Sequence, residues 1–175
     1  MATSKNSLRA IYIDELKDIY NAEKQLMKAL PKMAKAASSR ELRNGFTQHL
    51  EQMKSHIGRL QQVFDTLGEG PSGAKCLGME GLIEEGAGVF DEDFKDIVMD
   101  TALITAAQRV EEAKIAAYGT ACTLAEQLAE PEHISLLNQI LDEEKQTDAK
   151  LTELSIEINT AAVETICAAC LRMMA

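Results

Sequence analysis

Apolar residues along this chain recur at intervals of three and four, which is the spacing of amphipathic α-helices. A first helix is predicted over about residues 7–37, and Pro31 near its end is expected to bend or weaken it. In the second helix the apolar and histidine positions alternate at intervals of four and three from Leu42 to Leu67, a heptad pattern that faces other helices. A third long helix is predicted over about residues 93–129.

Short breaks separate these helices. Ser38 and Glu41 have the spacing of a capping box at the start of the second helix. The clearest break is "GEGPSGAKCLG", residues 68–78, and a short helical segment, "MEGLIEEGAGVF", follows it. Pro131 stands where the first-turn proline of a fourth helix is expected.

Two long helical hairpins joined by one long crossover are the arrangement of ferritin-like four-helix bundles. We therefore predict an all-α, ferritin-like four-helix bundle whose crossover, about residues 68–92, carries the short additional helix. The prediction is one domain over residues 1–175, with a core of about 8–158 and an apolar C-terminal tail at 160–175.

Composition supports helices and narrows the function. Hydrophobic residues make up 46% of the 175 residues but aromatic residues only 4%, which disfavours a β-sandwich or barrel. The formal net charge of −10 argues against a nucleic-acid partner, which requires a basic surface. No segment has the length of a membrane span, and the N-terminus lacks the apolar core of a signal peptide. We expect a cytoplasmic protein.

Four cysteines are too few and too scattered for a disulfide framework, so reduced thiols are expected. Cys76 and Cys122 are interpreted as small buried apolar groups. Cys167 and Cys170 have a spacing that can bind metal or form a redox pair, but a zinc site would need two further ligands. Hydrophobic positions of a helix are the interpretation adopted for them.

Acidic and histidine residues at core-facing positions are the candidate functional residues. Folding the first hairpin near residues 38–39 places Glu23 level with residue 54, about 3 Å from the level of His56 but roughly 7 Å from that of His49. Folding the second near residues 129–130 places Glu111 level with residue 148. One layer can then hold five candidate metal ligands: Glu23, His56, Glu111, Glu144 and Asp148.

Buried carboxylates are normally paired with cations or bound to metal, so ion pairs with lysine remain the alternative to a metal site. Helical di-metal sites use one Glu from each of two helices and Glu-x-x-His from the other two. The nearest matches here are Glu51-x-x-Lys54 and Glu144-x-x-Thr147.

Five segments resemble successive blocks of the YciE/YciF family of ferritin-like bacterial stress proteins. They are "DIYNAEKQLMKALPKMA", "HLEQMKSHIGRLQQVF", "KCLGMEGLIEE", "ALITAAQRVEEAKIAAYGT" and "LLNQILDEEKQTDAKLTELS". The resemblance covers about residues 8–158. It implies a ferritin-like bundle, usually dimeric, with a rubrerythrin-like candidate metal site for iron or manganese and induction by osmotic or other stress.

The chain departs from the family pattern beside the expected metal site. "HLEET" of the family reads "HLEQM", which puts Gln52 in place of an acid, and "VEHYE" reads "VEEAK", which puts Lys114 in place of another. An ammonium there can take the place of a metal's charge. The alternative function is thus a metal-free structural or protein-interaction protein. The side chains expected to surround these ligands without binding the metal are Tyr20, His49, Gln52 and Lys114.

Self-association is predicted as a homodimer; any other protein partner stays unknown from the sequence. Four alanines of the third helix lie beside its core stripe and allow close approach of another helix: Ala102, Ala106, Ala113 and Ala117. The last segment, residues 163–175, carries more apolar surface than an isolated tail should expose. Two-fold pairing is the commonest way to bury such surfaces.

Overall fold

Five α-helices form the fold in the computed structural model, which describes residues 7–94 and 96–173, with side chains described as far as residue 163. They are α1 (Leu8–Ala36), α2 (Arg40–Leu67), α3 (Leu77–Gly88), α4 (Asp96–Gln127) and α5 (Pro131–Met173), with a 3₁₀ turn at Val89–Asp91 following α3. The described residues contain no strand, so the all-α prediction is confirmed.

Side-chain caps define the first two helices. Ser7 caps α1, its hydroxyl accepting a hydrogen bond from the Ala10 amide at 3.2 Å. The capping-box prediction was wrong by one residue, because Ser39 caps α2 through the Leu42 amide. Ser38 instead donates to the buried carboxylate of Asp100 in α4 at 2.5 Å, which ties the first interhelical turn to the second hairpin.

Residues with positive φ follow the C-terminal ends of α2 and α4. Gly68 ends α2 in the left-handed conformation, with φ of 69°, where a side chain would be strained. Ala129 has φ of 55° in the turn between α4 and α5, and Pro131 begins α5 as predicted. Pro31 lies within α1, which nevertheless remains one continuous helix to Ala36.

The helices pair as predicted: α1 with α2, and α4 with α5, with α3 lying against α4 and α1. Ala106, one of the alanines beside the core stripe of α4, faces this crossover helix. A Cβ added to Gly86 of α3 would lie 3.4 Å from the Cβ of Ala106, so the two helices approach closely. None of the described helices is long and apolar enough to cross a membrane.

The apolar core has two halves, one on either side of a layer of buried charge. The larger side chains of one half are Leu26, Leu30, Leu42, Phe46, Met53, Leu103, Ile104 and Leu151. Those of the other half are Tyr12, Leu16, Leu60, Phe64, Tyr118, Leu137 and Ile140. Burial of these side chains stabilises the bundle by about 1.5–3 kcal/mol each and so fixes the register of the polar layer between them.

Candidate metal centre

Six charged or titratable side chains from all four long helices meet in this layer, and each is at most 4% exposed. We call them the ion cluster: Glu23 of α1, His49 and His56 of α2, Glu111 and Lys114 of α4, and Glu144 of α5. Charges withdrawn so far from water are costly unless they compensate one another. Their contacts therefore determine what the site can do.

The Lys114 ammonium lies at the centre of the ion cluster. Its Nζ is 2.7 Å from Oε1 of Glu144, 3.5 Å from Oε1 of Glu23 and 3.9 Å from Oε2 of Glu111. Three carboxylates and one ammonium leave a net charge of −2 while both histidines are neutral.

A pair of charged residues holds His56 from its outer side. His56 Nε2 is 2.8 Å from Oε2 of Glu143, and Arg59 donates to both oxygens of the same carboxylate at 2.8–2.9 Å. The other ring nitrogen, Nδ1, thereby faces the ion cluster, 2.9 Å from Oε1 of Glu144 and 3.7 Å from Oε1 of Glu23. Such outer carboxylates orient histidines that bind metal ions.

His49 occupies the other end of the ion cluster with weaker outer contacts. Its Nε2 is 3.1 Å from Oε1 of Glu111 and 3.9 Å from Oε2 of Glu144. Its Nδ1 has only long contacts of 3.5 Å, to Gln52 Oε1 and to Thr147 Oγ1. The ring of His49 is consequently held less firmly than that of His56.

Several buried atoms of the ion cluster lie close together without making a hydrogen bond within the described part of the chain. They are Glu23 Oε2, His56 Nδ1, Glu111 Oε2, Glu144 Oε1 and Glu144 Oε2. Contacts such as that from Lys114 to Glu144, at 2.7 Å, are close but are not aligned as hydrogen bonds. Buried ligand atoms that lie this close together without aligned hydrogen bonds fit a metal ion.

Electrostatics favour the charged forms in the ion cluster. Burial alone would lower the pKa of His56, but the adjacent Glu144 and Glu23 outweigh burial and raise it to about 9. Burial likewise opposes ionisation of Glu111, yet Lys114 and His49 hold its pKa down at about 2. For Lys114, the three carboxylates raise the pKa despite complete burial. The metal-free site is thus a network of charged groups.

Two groups of three ligand atoms have the geometry to hold an ion, and Glu144 belongs to both. One is Glu23, His56 and Glu144, which we call the first triad; the other is His49, Glu111 and Glu144, which we call the second triad. Within each group the ligand atoms lie within 4.8 Å of one another. Carboxylate and imidazole ligands in this mixture suit iron or manganese.

The register of the helices explains why the Glu-x-x-His motif was not found in the sequence. On α2 the motif falls on Met53-x-x-His56, with a buried methionine in the place of Glu, and on α5 it falls on Glu144-x-x-Thr147. His49, one turn before Met53, supplies the imidazole that Thr147 lacks. Two of the usual six ligands are therefore replaced, and Lys114 adds a positive charge.

The structure brings together four of the five residues predicted as ligands: Glu23, His56, Glu111 and Glu144. Asp148 is half-buried and belongs to neither triad, and its pKa is raised by burial and by Glu112. Tyr20 packs edge-on against Phe64, with ring centroids 6.0 Å apart, and is not part of the ion cluster.

Three residues beside the site were not anticipated from the sequence. Tyr118 is fully buried and donates to Oε1 of Glu23 at 2.8 Å, and Glu143 and Arg59 hold His56. Glu143 directly precedes Glu144, but no periodicity distinguishes a half-buried acid from a solvent-facing one. The core-facing position of Tyr118, seven residues after Glu111, was a signal for a residue near the layer. Cys167 and Cys170 lie outside the residues whose side chains are described.

Two antiparallel hairpins, one long crossover with an extra helix and a carboxylate–histidine layer at mid-bundle define a ferritin-like protein. The family model described as "Domain of unknown function (DUF892)" matches residues 7–164, and the chain belongs to this family. The resemblance to YciE/YciF proteins is also confirmed, since the chain is 46% identical to Protein YciF of Escherichia coli (strain K12) over 151 residues. That match covers 86% of this chain and 91% of YciF.

Solved structures agree with this assignment. The crystal structure of the E. coli stress protein YciF matches with a TM-score of 0.86 and 44% identity, covering 89% of this chain and 98% of that one. A putative structural protein from Rhodopseudomonas palustris matches with a TM-score of 0.82 and 39% identity, covering 87% and 97%. A ferritin-like diiron-carboxylate protein from Bacillus anthracis shares the fold, with a TM-score of 0.64 and 17% identity, covering 83% and 96%.

Proposed function

We propose that this chain is a stress-response protein whose bundle binds one iron or manganese ion at Glu23, His56 and Glu144. The observation that carries this proposal is the convergence of buried ligand atoms without aligned hydrogen bonds in a cluster where three carboxylates share one ammonium. An ion at this position would displace the proton of His56, so that one divalent ion would neutralise the remaining charge of −2, whereas two would leave an excess of positive charge in the core. Lys114 takes the place of the second ion's charge.

The first triad is the better site for this ion. The Glu143–Arg59 pair fixes the outer nitrogen of His56 and directs Nδ1 inward, and Tyr118 orients Glu23. His49 in the second triad has only 3.5 Å contacts on its outer nitrogen. A preorganised ligand set loses less entropy on binding, so the ion should prefer Glu23, His56 and Glu144.

A redox-active ion at this position would supply one-electron chemistry with peroxide or dioxygen, and reduction of these oxidants is the activity to assay. The chain's own contribution is to bury the ligands, hold their orientation and exclude bulk water with two apolar half-cores. The likeness to the E. coli stress protein YciF supports a role in stress, and oxidative or osmotic stress is the kind that we propose. The enzyme class expected from the sequence, a rubrerythrin-like di-iron peroxide or dioxygen reductase, would need a second ion, and the same activity assay tests it.

Metal stoichiometry tests the proposal. Purified protein reconstituted anaerobically with Fe²⁺, or with Mn²⁺ in air, should retain about one ion per chain by elemental analysis after desalting. Glu144→Ala should abolish retention because Glu144 belongs to both triads, and His49→Ala should keep the ion. Lys114→Glu should raise the stoichiometry toward two, since it removes the ammonium and adds a carboxylate.

A metal-free function is the second candidate, because the ammonium of Lys114 already contacts all three carboxylates within 3.9 Å. In this case the ion cluster has a structural role, and the protein acts by binding other proteins. The same elemental analysis separates the two functions. No retained iron or manganese in wild type would favour the metal-free function, and two ions per chain would favour a complete di-metal centre.

We also propose that the chain forms a homodimer. Ile156 and Val163 lie two turns apart on α5 and are 65% and 66% exposed, and Val98 near the start of α4 is 41% exposed. Such apolar residues are expected to be covered by a second copy. Light scattering should give roughly twice 19.2 kDa for wild type, and Ile156→Asp with Val163→Asp should give the single-chain mass. A wild-type monomer would contradict this proposal.

A further inference from the structure

An apolar cavity of about 250 Å³ opens beside the second triad, among all four long helices. Its apolar walls are formed mainly by Leu26, Leu30, Met33, Phe46, Val110 and Leu151. His49 and Glu111 form its buried polar end, and the exposed side chains of Gln48 and Lys150 lie at its solvent edge. An apolar cavity with a few convergent polar groups is the usual form of a small-molecule site.

The polar end of this cavity has an unmet requirement for a hydrogen-bond donor. Glu111 is 2% exposed, it borders the cavity, and its Oε2 has no hydrogen-bond partner among the described residues. Thr147 and Gln52 add further polar groups at the same end. The nearest cation, Lys114, is 3.9 Å from Glu111 Oε2 and lies closer to Glu144.

We propose that this cavity binds a small primary amine, with the ammonium against Glu111 and the apolar body between Leu30, Phe46 and Leu151. The ammonium is a hydrogen-bond donor of the right sign for the buried carboxylate of Glu111, and a carboxylic acid would be repelled at the same place. The inference rests on the proposed function, in which the metal ion occupies the first triad and leaves the second triad free. The cavity is smaller than drug-sized sites, which span on the order of 300–1,000 Å³, so the amine must be small.

Hexylamine, with hexanoate as the matched acid, is the probe for this site. Chelator-treated protein labelled at methionine methyl groups should show saturable shifts of Met33, which borders the cavity, with a Kd of about 1 mM. The methyl group of Met79, beside a separate cavity under α3, should not move. Hexanoate should cause no saturable shift. Tighter binding of hexanoate, with its acid group drawn to Lys150, would overturn the proposal, as would no Met33 shift with hexylamine.

Substitution of a glycine of α2 that borders the cavity can block it, and substitution of a second glycine of the same helix serves as the control. A Cβ added to Gly45 or to Gly58 would meet no described atom within 4 Å, so both positions accept larger side chains. Only Gly45 borders the cavity, and neither residue belongs to the ion cluster. Gly45→Leu should weaken hexylamine binding at least about tenfold, while Gly58→Leu should leave it within about twofold. Unchanged binding by Gly45→Leu would place the amine elsewhere and overturn the proposal.

Metal binding is measured separately, on the same protein reconstituted with Mn²⁺ after the chelator has been removed. About one Mn²⁺ per chain should be retained in saturating hexylamine, because the ion and the amine occupy different triads. If one ion is retained but hexylamine does not bind, only the cavity proposal is overturned. Absent metal binding with intact amine binding would overturn only the proposed function. Loss of the ion when hexylamine is added would show that the two compete and would contradict the separate assignment.

Discussion

Two buried histidines of this protein, His56 and His133, have pKa values shifted in opposite directions. His56 is 0% exposed in the ion cluster, and its pKa is raised to about 9. His133 is 2% exposed at one end of the bundle, and its pKa is lowered, chiefly by burial, with Arg9 adding to the lowering and Glu130 opposing it. Equal burial therefore does not decide the charge of a histidine.

The partners of His133 are neutral and satisfy both ring nitrogens. Thr66 donates its hydroxyl hydrogen to the Val63 carbonyl at 2.8 Å, so His133 Nε2 must donate to Thr66 Oγ1, 2.6 Å away. Nδ1 then accepts from the Tyr12 hydroxyl at 3.1 Å. In this assignment the neutral ring satisfies both contacts, whereas His56 has carboxylates near both nitrogens, which favour a second ring proton.

The comparison shows that a buried charge in this bundle depends on the sign of its neighbours. Glu23, Glu143 and Glu144 surround His56, and the first and last of these also contact Lys114. The His133 end offers a hydroxyl on either side. The difference between the surroundings of His56 and His133 is tested by variants that remove one charge or one hydrogen bond in the ion cluster or near His133.

The largest expected effect comes from removing the ammonium at the centre of the ion cluster. Lys114→Met should destabilise the metal-free protein by about 3–5 kcal/mol, because three buried carboxylates lose their cation. The control at the other end is Arg9→Met, which breaks a partly exposed pair with Glu130 and should cost less than about 1 kcal/mol. Urea unfolding in chelator measures both. Equal losses would mean that the ion cluster is not a special electrostatic site.

The pH dependence of stability should differ for the two histidines on the alkaline side. Because the folded pKa of His56 is about 9, above its ordinary value of 6.5, its stabilisation is complete below pH 6.5 and is lost as the pH rises through 9. The loss should be about 3 kcal/mol at about 1.4 kcal/mol per pKa unit. His56→Gln should remove this alkaline loss and His133→Gln should keep it. Unfolding curves between pH 6.5 and 9.5 that fall equally in both variants would contradict the assignment.

Two buried tyrosines give a matched pair of smaller changes. Tyr118→Phe removes a hydrogen bond to the carboxylate of Glu23 and should cost about 1.5–3 kcal/mol. Tyr12→Phe removes one to the neutral ring of His133 and should cost about 0.5–1.5 kcal/mol. Both rings are 0% exposed, so differences in burial do not affect the comparison. Thermal unfolding at pH 7 ranks them, and a larger loss for Tyr12→Phe would reverse the comparison.

The smallest expected effect is the loss of stability that His133 causes as the pH falls below 6.5. Its folded pKa is below 6.5, so the unfolded chain binds the proton first and stability falls as the pH drops below 6.5. Between pH 6.5 and 5, His133→Gln should flatten this decline while His56→Gln keeps it. Glu111, whose pKa is lowered from 4.5 to about 2, loses its stabilising contribution only below about pH 4.5 and so does not affect this range. A decline that persists in His133→Gln would assign it to another group.

Helical periodicity predicted most of the fold. The three- and four-residue spacing gave α1, α2 and α4 to within about three residues at each end, and Pro131 marked the start of α5. These features depend on interactions within a few residues of the chain, such as caps, turns and amphipathic faces. Mirroring the hairpins at their turns also predicted that Glu23, His56, Glu111 and Glu144 meet, because antiparallel helices of equal rise keep equal heights.

The sequence by itself thus determined the helices, the hairpins and the height of the polar layer, since these follow from local periodicity and chain length. Only the tertiary structure decided which atoms of that layer face one another. It placed Lys114 among three carboxylates, turned His49 toward Glu111, and directed Glu143 onto His56 while Asp148 stayed outside both triads. Side-chain direction within a layer depends on helix rotation and on packing by all neighbouring helices, and these contacts join residues up to about a hundred positions apart.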